Sequence, residues 1–134
     1  MTKLTYIEGI GEVYAQKLKD VGIRSIEHFL EQGCTPAGRK QIAEKSGVSE
    51  KLILEWINHC DLFRIKGVGE EYADLLEAAG VDTVPELAQR NPANLYEKLV
   101  ETQNLKKLVR KMPVESQVAD WVAQAKQLPR VITY

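Results

Sequence analysis

Apolar residues recur along this chain three or four positions apart, in segment after segment, which is the period of amphipathic helices. Val13, Leu18 and Val21, with Tyr14 and Ala15, predict a helix over about 12–21, closed by Gly22 as a left-handed C-terminal cap. Ser25 predicts the N-cap of a short helix carrying Ile26, Phe29 and Leu30 and ended by Gly33. Thr35-Pro36 reads as an N-cap followed by proline at the first helical position, starting a helix through Ile42 and Ala43 that stops at Gly47. Ser49 caps a helix over about 50–62, in which Leu52, Ile53, Trp56, Ile57 and Cys60 share one face.

The pattern then starts again. A helix over about 70–79 stops at Gly80, and Thr83 with Glu86 predicts a capping box for the next one. Asn91-Pro92 opens a helix with Leu95, Leu99 and Val100, and a last helix over about 113–128 aligns Val118, Trp121, Val122 and Ala125. No window alternates apolar and polar residues except the tail Arg130–Tyr134. The prediction is an all-α protein of two related helical units, residues 1–64 and 65–134, packed as one compact protein.

Each unit opens on the same stretch. Ile7-Glu8-Gly9-Ile10-Gly11-Glu12-Val13-Tyr14-Ala15 becomes Ile65-Lys66-Gly67-Val68-Gly69-Glu70-Glu71-Tyr72-Ala73. Two glycines around one apolar residue, followed at once by helix formers, describe a tight turn that plugs a side chain into a core. The helix start behind such a turn presents free N–H groups, which suit an anion. The glycines repeat after 58 residues, the tryptophans Trp56 and Trp121 after 65, so the second unit carries seven additional residues, expected around Leu105–Met112.

Composition narrows the function. The chain has 134 residues and a net charge of −1; residues 1–64 hold nine basic and nine acidic side chains, residues 65–134 nine and ten. There is no polybasic arm. Cys34 and Cys60 stand at no metal-binding spacing, so no metal or cofactor is expected and the thiols read as reduced. Met1-Thr2-Lys3-Leu4-Thr5-Tyr6 lacks the apolar core of a secretory signal, and no apolar run has membrane-spanning length. A soluble cytoplasmic protein is expected. His28 and His59 sit beside apolar residues at helical spacing, adjacent residues such as Cys60 and Asp61 diverge by about 100° on a helix, and no phosphate-binding loop occurs. These features argue against an enzyme.

The paired turns resemble the hairpin of the helix-hairpin-helix motif, a DNA-backbone-binding element of repair proteins, ligases and polymerases. Gly80-Val81-Asp82-Thr83-Val84 is also similar to part of the C-terminal domain of the RNA polymerase alpha subunit. Over its whole length the chain resembles the uncharacterised family called domain of unknown function 4332, which has this tandem layout. The resemblance implies main-chain phosphate binding at Gly9, Ile10 and Gly11 and at Gly67, Val68 and Gly69, with a nearby cation adding charge. Lys66 lies inside the second turn and Lys17 along the first helix. The sequence departs from the pattern just after each turn, where Glu12, Glu70 and Glu71 stand. A carboxylate there favours its own helix dipole by about 0.3–1 kcal/mol and repels an incoming phosphate.

A second source of positive charge is Lys106, Lys107, Arg110 and Lys111, interleaved with Leu105, Leu108, Val109 and Met112. At helical spacing the cations oppose an apolar face, so a helix there would track a phosphate backbone or simply be solvated. Arg39, Lys40 and Lys45 form another basic group. Tyr14 and Tyr72 read as packing residues or as a stacking surface, Trp56 and Trp121 as core. Two functions are carried forward: a non-catalytic, sequence-independent nucleic-acid (DNA) binder, and a protein-interaction or scaffold module that keeps the fold without phosphate binding. No membrane partner is expected.

Overall fold

The structure, a computed structural model, describes residues 2–134. Eight α-helices account for its regular structure together with one 3₁₀ turn, and no strand occurs among the described residues. The chain divides into two compact units: residues up to Asp61 joined by Val131–Tyr134, and residues Leu62–Arg130. The boundary thus falls three residues before the expected one, and the last four residues belong to the first unit.

The first unit holds a 3₁₀ turn at Leu4–Tyr6, then α1 (Glu12–Asp20), α2 (Ile26–Gly33), α3 (Pro36–Ser46) and α4 (Glu50–Leu62), whose last residue already belongs to the second unit. The caps form as the sequence demands: Ser25 Oγ accepts from the N–H of His28 at 3.2 Å, Thr35 Oγ1 from Gly38 at 3.1 Å, and Ser49 Oγ from Leu52 at 3.2 Å. Its core is built from Leu4, Ile7, Leu18, Phe29, Ile53, Trp56 and Ile57, all under 4% exposed. Burying each such side chain stabilises the fold by about 1.5–3 kcal/mol.

The second unit comprises α5 (Glu70–Ala78), α6 (Val84–Ala88), α7 (Pro92–Lys106) and α8 (Glu115–Gln127). Ile65, Val68, Leu76, Leu87, Leu99, Val118 and Trp121 fill its core. Asn91 caps α7 through Asn94 N–H at 3.1 Å. The capping box expected of Thr83 and Glu86 does not form, since no side chain caps α6 and Glu86 Oε2 accepts from Asp82 N–H instead.

The repeat is reproduced bond for bond. Ile7 N–H donates to Leu4 O as Ile65 does to Leu62, and Ile10 to Ile7 as Val68 does to Ile65. Behind α1, Gly22 N–H donates to Lys19 O and Ile23 N–H to Leu18 O; behind α5, Gly80 donates to Glu77 and Val81 to Leu76. These are Schellman closures, with Gly22 (φ 91°) and Gly80 (φ 95°) supplying the left-handed residue. The repeat therefore begins at Leu4 and Leu62, before the glycines that announce it.

One expected helix is absent. The basic stretch does not continue as a helix past Lys106: Lys107 takes a left-handed conformation (φ 51°) and ends α7, and residues 107–114 are irregular. The cause is a local clamp. Gln103 Nε2 donates to Val109 O at 2.7 Å while Val109 N–H donates to Gln103 Oε1 at 3.1 Å, and Val109 is buried in the core. Drawing that apolar residue inward takes its peptide group away from any helical ladder.

Candidate functional site

The two glycine turns share one geometry. Gly9 and Gly67 adopt φ of 93° and 96°, a conformation that costs a side chain of L configuration. Ile10 and Val68 are then driven inward, 4% and 6% exposed. A Cβ at Gly9 would lie 3.5 Å from Trp56 Nε1, and one at Gly67 would lie 3.1 Å from Trp121 Nε1. The indoles thus form the floor of the turns. Tyr14 meets Trp56 with ring centroids 5.0 Å apart, and Tyr72 meets Trp121 at 5.2 Å. Each turn rests on a tryptophan flanked by a tyrosine, which assigns both tyrosines a packing role.

Beyond each turn a glycine serves as N-cap: Gly11 (φ −91°, ψ −168°) for α1 and Gly69 (φ −99°, ψ −166°) for α5, neither helix being capped by a side chain. From here the copies diverge. Around the first turn Gly11, Glu12 and Val13 are exposed, Val13 by 71%. Lys17 Nζ lies 5.8 Å from the centre of the half-buried Tyr14 ring.

At the second turn, residues 109–111 fold over the start of α5. Arg110 donates its backbone N–H to Glu71 Oε1 at 2.7 Å and its Nε to Oε2 at 3.0 Å, with Nη2 2.9 Å from Oε2. Tyr72 completes the contact by donating its hydroxyl to Lys111 O at 2.9 Å. The bond from the Arg110 N–H, reinforced by the guanidinium, holds the Glu71 carboxyl below its usual value of 4.5. On the other side of the turn, Lys66 N–H donates to Gln124 Oε1 at 2.9 Å and Gln124 Nε2 to Lys66 O at 3.0 Å. Gly69 and Glu70 are accordingly half-buried where Gly11 and Glu12 are exposed.

The structure thus gathers Arg110 and Lys111 onto the second turn, while Lys106 and Lys107 stay exposed at the end of α7. Arg39 leaves the expected basic group altogether. It is 6% exposed, with its guanidinium spent on carbonyl groups. Burial pushes the Cys60 thiol far above its usual range, so it stays protonated. No group of three potential metal-binding side chains exists among the described residues, and no helix among them is long and apolar enough to cross a membrane. Sequence reasoning missed Glu71, Gln103 and Gln124 as clamps. One signal was available: the two stretches differ by Val13 against Glu71 in the unit that carries the basic insertion.

The family described as "Domain of unknown function (DUF4332)" matches residues 8–128, from the first turn to the end of α8. The chain belongs to this family. No curated protein and no solved structure matches it. Membership takes in both turns, both tryptophans and the covering segment, and the family description specifies no activity.

Proposed function

We propose that the chain is a non-catalytic binding module that holds a nucleic-acid backbone, independent of its sequence, at the first turn, Gly9-Ile10-Gly11. Gly11 carries this reading. Its φ of −91° suits any residue, and a Cβ there would meet no atom within 4 Å. Backbone strain and packing do not require glycine here; besides suiting the N-cap of α1, it leaves the space that a phosphate approaching the uncapped N–H groups needs. Ile10 anchors the turn in the core, and Lys17 supplies a cation about one and a half helical turns along α1. Glu12 weakens the attraction, so the binding is expected to be modest and salt-sensitive.

The second turn is assigned to architecture in this reading, with Gly67 and Val68 seating the loop over Trp121. Labelled duplex and single-stranded DNA, titrated with protein at about 50 mM salt and again at about 200 mM, test the proposal. Binding that weakens with salt and is lost in Gly11→Glu is expected. Absence of binding at the lower salt sinks it.

One observation favours the protein-interaction reading at the same surface. Val13 is 71% exposed at the position where Glu71 is covered by a peptide segment in the second unit. A stoichiometric partner that survives nuclease treatment and is lost in Val13→Lys would decide for it.

A further inference from the structure

Away from both turns, the first unit grips the end of the chain. Arg39 on α3 donates Nη1 to Gly33 O at 3.0 Å and Nη2 to Thr133 O at 2.7 Å. Thr133 donates its N–H to Cys34 O at 2.8 Å and its hydroxyl to the same carbonyl at 3.3 Å. Ile132 is 3% exposed; the Tyr134 ring lies 5.7 Å from the Arg39 guanidinium, and its hydroxyl donates to Asn58 Oδ1 at 3.2 Å. Pro129 and Arg130, which lead into this segment, are exposed.

The contacts have the form of peptide recognition. Main-chain groups of one residue, Thr133, are read on both sides by Cys34 and Arg39, while the alternate residues Ile132 and Tyr134 supply side-chain specificity. On the receptor side Arg39 is 6% exposed with the segment in place, and its Nη2 takes its carbonyl from Thr133. The segment itself forms no helix or strand.

We propose that Cys34, Arg39 and Asn58 form a recognition site for an extended peptide of the pattern Ile-Thr-Tyr, and that residues 131–134 occupy it as a detachable strap. The site is independent of the nucleic-acid reading and lies on a different set of residues. Because the strap is tethered, it competes with any free peptide at an effective concentration on the order of millimolar. Native protein resists a peptide in solution, and a chain whose strap is released accepts it.

A fluorescent peptide with the sequence of residues 128–134 tests this against three forms of the 134-residue chain: the native sequence, Ile132→Asp and Thr133→Pro. Proline removes the N–H that Cys34 O accepts, and aspartate is excluded from the buried Ile132 position. Both variants are expected to bind the peptide saturably and at least about tenfold more tightly than the native chain. A peptide with proline in place of Thr133 should not bind. Equal or absent binding across the three folded proteins would overturn the proposal. So would loss of helical circular dichroism in both variants, since the segment would then be core and not ligand; if one variant keeps its fold, that variant decides.

Discussion

The two glycine turns are built alike and finished differently. Gly9 and Gly67 share a left-handed conformation within 3° in φ, the same tryptophan floor and the same tyrosine flank. What differs is the cover. The second unit lays residues 109–111 over its helix start and clamps Lys66 with Gln124, whereas the first leaves Gly11, Glu12 and Val13 exposed. A duplicated motif can thus cover one copy with its own chain and leave the other exposed. The distinction involves the insertion and two substitutions, Val13 against Glu71 and His59 against Gln124.

The shared part of the comparison should carry the largest effects. Trp56→Ala and Trp121→Ala each remove a floor that is 3% or 2% exposed, at an expected cost of about 3–5 kcal/mol. Urea unfolding followed by helical circular dichroism measures it. Costs that differ by more than about 2 kcal/mol would break the equivalence of the two floors. Since each unit contains one tryptophan, Trp121→Phe leaves fluorescence reporting on the first unit and Trp56→Phe on the second. That makes the next effect separable.

Gly9→Ala and Gly67→Ala both place a side chain at positive φ, which costs about 1–3 kcal/mol. The second should cost more, because its Cβ would press on Trp121 Nε1 at 3.1 Å while the first has 3.5 Å to Trp56 Nε1. Unfolding midpoints read by the single tryptophan of each background give the order; a larger loss for Gly9→Ala would show that the floors do not control the turns. Gly11→Ala sits below both. With φ of −91° and open space around its Cβ, it should cost no more than about 1 kcal/mol, the loss of a favourable N-cap residue, while weakening DNA binding at low salt. A variant that binds as well as the native protein would leave glycine there explained by its place as the N-cap of α1 alone.

The helices were legible in the sequence because their signals are local. Cap residues, proline starts and terminal glycines act within one turn, so α4 over Glu50–Leu62 and the closures at Gly22 and Gly80 follow from spacing alone. Contacts between distant residues left no such trace. Leu105–Met112 has a helical period, yet Gln103 and the buried Val109 turn it into a covering loop. Arg39 looks like a solvated cation until Thr133, 94 residues away, supplies a carbonyl for it. Thr83 and Glu86 have the right spacing for a box, but Glu86 takes the N–H of Asp82. Gln103 and Glu86 act over only six and four residues, through side-chain-to-backbone bonds that a helical period does not reveal, whereas Arg39 and the cover of the second turn depend on partners 94 and 39 residues away.

The smallest expected effect concerns the cover itself. The Glu71–Arg110 contact is solvent-exposed, with the Arg110 side chain 93% and Glu71 37% accessible, so breaking it should leave the unfolding midpoint nearly unchanged. Its signature is instead in pH. The Glu71 carboxyl is lowered by the Arg110 N–H and guanidinium, so the clasp is fully formed above the ordinary value of 4.5 and is lost as pH falls through the lowered folded value. The Arg110 amide resonance, followed by NMR from pH 7 downward, should therefore titrate with a midpoint below 4.5 in the native chain and lose that transition in Glu71→Gln. Opening the clasp by acid should also increase hydrogen exchange at Arg110, with no matching change at Val13, whose helix start is uncovered from the outset. A native midpoint at or above 4.5 would mean that the segment rests on α5 without being held there, and the two turns would then differ far less in solution than their hydrogen bonds suggest.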